Sequence, residues 1–492
     1  MPKRCYYSVV NQKETFSKNP ITPRATNFSR WYLEVIKAAD LAENAPVKGC
    51  IVFKPYGYAI WEKIKQVLDQ KFKATGVENT YFPLFIPERL FKKEKEHIEG
   101  FSPEVAVVTL AGGKKLKEPL IVRPTSETII YPIIANWIKS YRDLPLLINQ
   151  WANIIRWELR PRPFLRTTEF LWQEGHTAHA SEKEADERAL LMLGIYREFA
   201  ESFMAIPVIT GQKTEAEKFA GALRTYTVEA MMQDGKSLQF ATSHNLGQEF
   251  SKVFGVSFTT PDSSSQYCWQ TSWGLSTRTI GALIMVHGDD QGLVLPPEIA
   301  PIKTIIIPIW DNENKKTVQA KVLEIQKLLQ KAGIEEVKID DREGLHPGDK
   351  YFYWERKGVP LRIEIGPKDI KQKSVILVRR DTGEKINCPA EKIVSRVRET
   401  LKQIQGNLYQ QALGRLQENT VSVDSWNDFK QAIKDKKFVL APWDNDPKTE
   451  EKIKQETKAT ARCLPFNQAR EKGKDLLSQK PSSRRALFAQ SY

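Results

Sequence analysis

Ile155-Arg156-Trp157-Glu158 is followed, across a turn carrying Pro161 and Pro163, by Phe164-Leu165-Arg166-Thr167-Thr168-Glu169-Phe170-Leu171-Trp172-Gln173-Glu174-Gly175-His176. Together with Leu146-Leu147-Ile148-Asn149-Gln150-Trp151, the pattern predicts strands at 146–151 and 164–172 around that turn. An arginine set into an apolar strand costs several kcal/mol unless it meets an anion. Arg156, between Ile155 and Trp157, is such a residue, and so is Arg278 in Trp273-Gly274-Leu275-Ser276-Thr277-Arg278-Thr279-Ile280-Gly281. An internal carboxylate could satisfy either one alone. For the two together, with Arg166 on a turn between them, a shared external anion is the better account.

Outward from these segments the chain divides in three. An amphipathic helix is expected at 56–72, with Trp61, Ile64, Leu68 and Phe72 at helical spacing, running into a short strand at 77–83 stopped by Pro83. Ser181-Glu182-Lys183-Glu184 is a capping box that opens a helix expected to reach Met204. The run 280–285 suits either helix or strand. After Pro296-Pro297 the pattern changes to strands at 304–309, 337–340, 361–365 and 374–379, alternating with helices at 316–331 and 348–357. That alternation predicts a smaller α/β domain. The remainder begins helical and then reads as basic and irregular. The expected class is α/β: a catalytic domain at 1–298 with an antiparallel sheet flanked by helices, an α/β domain at 299–405, and a small α/β module at 406–492.

At 492 residues, two to four domains are expected. A 41% hydrophobic and 27% charged chain excludes a disordered tail or a coiled-coil rod. No stretch approaches about 18 uncharged apolar residues, so no membrane span is expected, and the basic N-terminal residues lack the apolar region of a secretory signal. Five scattered cysteines with no CxxC point to a reducing, cytoplasmic location. Residues 1–300 hold 36 Lys+Arg against 33 Asp+Glu, whereas 301–492 hold 38 against 27. A basic half suits a polyanion such as nucleic acid, though a Lys-rich solvated surface would look the same.

The arginine-bearing segments resemble motifs 2 and 3 of class II aminoacyl-tRNA synthetases, and 77–83 after its long helix resembles motif 1. The closer resemblance is to prolyl-tRNA synthetases of the archaeal/eukaryotic-like type. It is carried by RPTSET at 123–128, RTTEFLWQEGHTAH at 166–179, KTEAEKFAGA at 213–222, TSHNLGQEFSK at 242–252, SWGLSTRTIGALIMVHGDDQGLVLPP at 272–297 and KGVPLRIEIGPKD at 357–369. These run in collinear order over most of the chain. The resemblance implies ATP-dependent attachment of L-proline to tRNA(Pro) by a cytoplasmic homodimer joined through the motif 1 segment.

It also implies roles residue by residue. Arg156 should touch both the α-phosphate and the amino-acid carboxylate, and Arg278 the γ-phosphate. Glu158, Arg166 and Thr167 should position adenine and phosphates, with Phe101 and Glu104 on a loop over the nucleotide. Gln239, Thr242 and Thr277 match positions that contact ATP, its ribose or its Mg²⁺, the ion falling near Gln239. Thr125 and Glu127 can accept the two N–H donors of proline's secondary ammonium, with Trp172, Glu174, His176, Phe219 and His244 around the ring. In the 299–405 domain Phe352 is the candidate for stacking on the anticodon, and Glu355, Lys357 and Lys368 for base edges or phosphates.

Two features depart from the pattern. Relatives usually carry four zinc-binding cysteines near the C-terminus; here 440–445 has none and Cys463 stands alone, so no zinc is expected. A zinc site at His176, His179 and Glu182 is disfavoured, because the capping box starts the helix after them. The 122 positions between Arg156 and Arg278 leave no room for the editing insertion of bacterial-type enzymes. A catalytically dead RNA-binding relative is the alternative class, but Thr125, Glu127, Arg156, Arg166, His244 and Arg278 are all present. A class II relative charging threonine, glycine or histidine is the other alternative. Threonine would need a zinc-ligand set in the pocket, which is absent, and the TSHNLGQ segment favours proline.

Overall fold

The two runs around the proline turn pair as an antiparallel hairpin, Leu146–Ile155 with Glu169–His179, in register from Leu146 opposite Ala178 to Ile155 opposite Glu169. The computed structural model describes residues 20–97, 104–468 and 471–492. The second strand starts later than expected because Phe164 has a left-handed φ of 62° and Arg162 bridges Arg166. Residues 164–168 therefore belong to a buried turn rather than a strand.

The hairpin lies near one edge of an eleven-stranded sheet. Inward from it come Trp269–Ser276, Ser237–Gly247, Arg224–Met231 and Val208–Gln212, each antiparallel to its neighbour. On the outer edge only Glu78–Asn79 pairs, in parallel, with residues 148–149. The expected strand at 77–83 is thus two residues long. Beyond Thr80 the chain peels away, and the Phe82 N–H goes to the Gln150 side chain at 3.0 Å instead of to backbone.

Helices cover the sheet face that carries the core. Pro55–Lys73 has proline at its start, where no N–H is missed, and buries Ile60, Trp61, Ile64, Leu68 and Phe72. Glu182–Glu198 is capped by Ser181, whose hydroxyl accepts from the Glu184 N–H, and passes into a π turn at Phe199–Phe203. The ambiguous run at 280–285 lies in a helix, Arg278–His287, buried from Thr279 to His287. Gly175 has no Cβ because the Trp273 ring lies about 2.1 Å from where one would be.

The second domain has a five-stranded mixed sheet in the order Val337–Ile339, Thr304–Pro308, Leu361–Ile365, Ser374–Arg379, Lys385–Pro389. Helix Lys315–Lys331 packs Val318, Val322, Ile325 and Leu329 against it. A 26-residue helix, Ile393–Glu418, runs through the expected 405/406 boundary. The last segment is not irregular. Its strands Thr420–Ser422, Phe438–Pro442, Arg485–Ala489 and Thr460–Pro465 form the other end of the eleven-stranded sheet. The join is made where Leu464 and Pro465 pair with Gln212 and Gly211. No helix among the described residues is long and apolar enough to cross a membrane.

Candidate functional site

Strand alternation builds the site. Along Glu169–His179, Phe170, Trp172, Glu174 and His176 fall on one face and line a cavity of about 300 Å³. The neighbouring strands continue the floor: Ser272 stands opposite His176, His244 opposite Ser272, and Thr225 opposite His244. Helix Glu127–Trp137 starts at one wall and brings Thr125 and Glu127 to the cavity.

At one end of the cavity the side chains are held by a buried hydrogen-bond chain. The Thr125 hydroxyl donates to Glu127. Glu174 accepts from Ser126 and Gln150 and meets His176 Nε2 at 3.1 Å, while Tyr131 Oη meets His176 Nδ1 at 3.1 Å. Burial opposes charge on His176, yet the bond to Glu174 raises its pKa above the usual histidine range. His244 is pushed down to about 3 by burial and by the nearby His176. It stays neutral, bonded to Thr225 Oγ1 at 3.0 Å, with its ring 4.8 Å from that of Phe219. One end of the cavity therefore offers a carboxylate and hydroxyl beside a neutral aromatic wall.

The other end is cationic. The Arg156 guanidinium lines the cleft, over the rings of Phe170 and Trp172 at 5.6 and 6.0 Å. Its Nε donates to the Pro124 carbonyl at 2.9 Å. Arg278 donates Nε to the Leu165 carbonyl at 3.2 Å. Among the described residues, no carboxylate lies within 4.0 Å of Arg156, Arg166 or Arg278. Burial and the charges of Arg166 and Arg156 push the Arg278 pKa down to about 10. Burial likewise lowers that of Arg156, against the pull of Glu127 and Glu174. Arg156 and Arg278 lining the cavity without a carboxylate partner among the described residues, with the charge of Arg166 nearby, make a receptor for a polyanion.

Gln239 and Thr242 line the same cavity. The Thr277 hydroxyl is fully buried and lacks a hydrogen-bond partner, as does the Trp172 indole N–H. Thr167 is buried, its hydroxyl donating to the Glu169 carbonyl, whereas Glu158 lies past the strand end, half-buried. The Glu104 carbonyl accepts from the Trp157 N–H at 3.2 Å, tying residue 104 to the end of the hairpin. Phe101 falls outside the described residues. Sequence reasoning missed Phe170, Glu217 and Thr225, which line the cavity, and Ser126, Gln150 and Tyr131, which hold Glu174 and His176. Only the position of Ser126 inside the Arg-Pro-Thr-Ser-Glu-Thr run offered a signal.

The four anticodon candidates are not brought together. Glu355 lines a second cavity, of about 350 Å³, with Arg362, Arg379 and Arg380. Phe352 is half-buried under the Arg356 guanidinium at 4.0 Å, and Lys368 is exposed. Lys357 is buried and turned toward the catalytic domain, 3.7 Å from Asp40 and over the rings of Tyr56 and Tyr353.

Comparison with known proteins agrees with this geometry. Residues 109–287 match the tRNA synthetase class II core domain (G, H, P, S and T), 303–400 match an anticodon binding domain, and 426–492 match the prolyl-tRNA synthetase C-terminal domain. The chain is 51% identical over 490 residues to the proline–tRNA ligase of Phocaeicola vulgatus, covering 96% of this chain and 99% of the relative. The chain belongs to the prolyl-tRNA synthetase family. The prolyl-tRNA synthetase relatives of Amoebophilus asiaticus and Chlorobium chlorochromatii are 52% and 53% identical, over 95% and 96% of this chain and 99% of each relative. As in other class II members of this family, ATP is the energy source. Among the described residues no group of three or more His, Cys, Asp or Glu side chains is placed to hold a metal.

Proposed function

We infer that the chain joins L-proline to tRNA(Pro) in two steps at this cavity: prolyl-adenylate formation with release of pyrophosphate, then transfer to the tRNA 3′ end. The observation that carries the reading is the pairing, in one cavity, of Arg156 and Arg278, neither with a carboxylate within 4.0 Å among the described residues, with the Thr125–Glu127 acceptor pair. In-line attack of the proline carboxylate on the α-phosphate needs positioning and charge stabilisation rather than a side-chain nucleophile. Arg156 is the planar fork that can hold both carboxylate and α-phosphate. Arg278 takes the γ-phosphate and Arg166 a further phosphate oxygen. Thr125 and Glu127 accept the two ammonium N–H donors, while Trp172, His176, Phe219 and His244 enclose the ring. Glu174 serves by orienting His176.

Gln239 fits a Mg²⁺ that arrives with ATP: its amide has no protein partner among the described residues, and Mg²⁺ typically takes few protein oxygens beside phosphates. Such an ion would neutralise phosphate charge. The C-terminal module does not fit zinc, because Cys463 is a lone buried thiol and four ligands are needed. The basic 299–405 domain binds the anticodon, with Glu355 as acceptor for base N–H groups. Tyr81, Phe85, Ile133 and Trp137 are exposed apolar residues in and near the motif 1 region. They supply the face of a homodimer, testable by light scattering. Residues 1–298, 299–405 and 406–492 are the working domain division, and the location is the cytoplasm.

ATP–pyrophosphate exchange with each of the twenty amino acids tests the reading. Proline should give the strongest exchange. Stronger exchange with threonine, glycine or histidine, or none at all, would overturn it.

A further inference from the structure

The catalytic sheet does not end with the catalytic domain. Strand Thr460–Pro465 pairs antiparallel with Val208–Gln212, at a point where Gly211 leaves no room for a side chain: a Cβ would lie about 2.4 Å from the Leu464 carbonyl. That close approach carries Arg462 under the sheet, where it is 6% exposed. Arg462 meets Glu229, which has no solvent exposure, through Nε and Nη2 at 3.0 Å each. The same carboxylate takes Lys213 Nζ at 3.0 Å, Thr227 Oγ1 at 2.8 Å and Ser237 Oγ at 2.7 Å.

Glu229 is well placed to matter for the reaction. It stands directly across the strand pair from Gln239, and it alternates with Thr227 and Thr225 on the face that forms the cavity floor. A carboxylate needs one cation for balance, and this one has two. With its oxygens occupied by five donors, it has no capacity left to capture Arg278, the neighbouring cavity cation that has no carboxylate of its own.

We propose that Arg462 of the C-terminal module is a positioning residue for the ATP end of the catalytic cavity, acting through Glu229 to keep Arg278 available to phosphate. The proposal rests on the reading of the cavity as the ATP and proline site. The electrostatics agree with the geometry: burial and the charges of Arg166 and Arg156 oppose the Arg278 cation, Glu229 favours it and Arg462 opposes it. Glu229 itself, although burial works against its charge, is held down to about 2 chiefly by Arg462 and then Lys213. Without Arg462 the carboxylate keeps one cation and two empty acceptor positions. Arg278 is the nearby cavity cation able to fill them, and it would turn away from the γ-phosphate.

The test is steady-state pyrophosphate exchange by the full-length protein, with KM determined separately for ATP and proline. Arg462→Met should raise KM for ATP about fivefold or more while KM for proline changes less than about twofold. Adding Glu229→Gln to Arg462→Met removes the carboxylate whose empty acceptor positions draw Arg278 away and should recover most of the ATP KM. A merely structural role would lower the melting temperature and the active fraction, leaving KM for ATP as in the parent. That result, with normal exchange by the parent, overturns this inference alone. Absence of proline-dependent exchange in the parent overturns the proline reading and this inference with it. If Arg462→Met does not accumulate folded, Arg462→Lys carries the test. One ammonium cannot span both oxygens, so a smaller rise in the same KM is expected, and an unchanged KM rejects the proposal.

Discussion

Arg156 and Arg362 stand in the same local pattern, each with a glutamate two residues ahead, and they end in opposite situations. Arg362 and Glu364 lie within the continuous strand Leu361–Ile365, so both point to one face and pair at 2.9 Å, with Glu355 adding a second bond at 2.7 Å. Arg156 lies one residue past the strand Leu146–Ile155; the chain turns there, the Trp157 N–H goes to the Glu104 carbonyl, and Glu158 diverges. Arg379 and Arg380 share the first outcome but not its strand geometry: each is bidentate to an aspartate, Asp381 and Asp289 respectively, and the strand Ser374–Arg379 ends before Asp381. Arg166 and Arg278 follow the second, with no carboxylate within 4.0 Å among the described residues. Spacing alone does not separate a structural arginine from a ligand-binding one. The strand runs through the Arg362 pair and stops before Arg156 and Glu158.

The largest effect should come from testing that difference directly. Arg156→Lys keeps the charge but loses the planar fork, and pyrophosphate exchange should fall roughly 100- to 1,000-fold with the melting temperature nearly unchanged. Arg379→Lys should do the reverse, costing about 1–2 kcal/mol of stability in urea melts with exchange intact. Near-normal exchange by Arg156→Lys would erase the distinction.

Acid should sharpen it. Burial pushes His179 and His287 each down to about 4. Their folded pKa values lie below the unfolded value of about 6.5, so the unfolded chain takes up protons first as pH falls. Their contribution to stability is complete above pH 6.5 and declines between 6.5 and 4, by about 2 kcal/mol for each at pH 5. The carboxylates paired with Arg380 and Arg462 have lowered pKa values and titrate below that window. Stability should therefore drop from pH 7 to pH 5 through the histidine-bearing catalytic half. Equal melting temperatures at the two pH values would contradict this.

What the sequence made legible follows the same logic of local against distant. Strands 361–365 and 374–379 appear where expected, because a short apolar, β-branched-rich run is a local property. Arg156 and Arg278 stood out because a charge in or just before an apolar run is visible without any partner, whereas Glu127, between Ser126 and Thr128, was reached through the family resemblance. Glu174 could be singled out, but its hydrogen-bond partners Gln150 and Ser126 are 24 and 48 positions away, and nothing in those residues announces the meeting. The C-terminal strands read as irregular because their hydrogen-bond partners include residues 211–212, more than 250 positions earlier. The meeting of Arg462 with Glu229, 233 positions apart, was invisible for the same reason. Lys357 looked like a phosphate ligand in a basic domain; its burial over the Tyr56 ring depends on how two domains pack.

A smaller effect is expected at the chain end. The Tyr492 N–H donates to the Ser237 carbonyl at 3.0 Å, its hydroxyl donates to Asp234 at 2.7 Å, and Arg162 lies 5.3 Å from its ring. Arg162 belongs to the turn that carries Arg166, so Tyr492 braces that turn, which the proposed function places beside ATP. Deleting Ser491 and Tyr492 gives up those two hydrogen bonds and the cation–π contacts of Arg162 and Lys236, each about 1 kcal/mol. A rise of about three- to tenfold in KM for ATP should follow, with the fold retained. Unchanged KM and turnover would show a merely packed end.

The last expected effect is none at all. Proline differs from alanine by roughly two ring methylenes, and each methylene gives an apolar pocket only about 1–3 kcal/mol of discrimination. Cysteine is nearer to proline in volume, so shape rejects it even less well. Enzymes facing this limit often house a hydrolytic second site in an inserted domain. Here the chain between Arg156 and Arg278 is spent on Glu169–His179, Glu182–Glu198, Val208–Gln212, Arg224–Met231, Ser237–Gly247 and Trp269–Ser276, all parts of the catalytic sheet or its covering helix. Discrimination then rests on Thr125 and Glu127 reading the secondary ammonium. Measurable activation of alanine and cysteine should accompany that of proline. Alanyl- or cysteinyl-tRNA(Pro) incubated with the enzyme should deacylate no faster than without it. Hydrolysis clearly above the enzyme-free rate would mean that a cavity lined by unpaired arginines also performs water attack on an ester, and the separation of binding cations from structural ones would no longer describe this site.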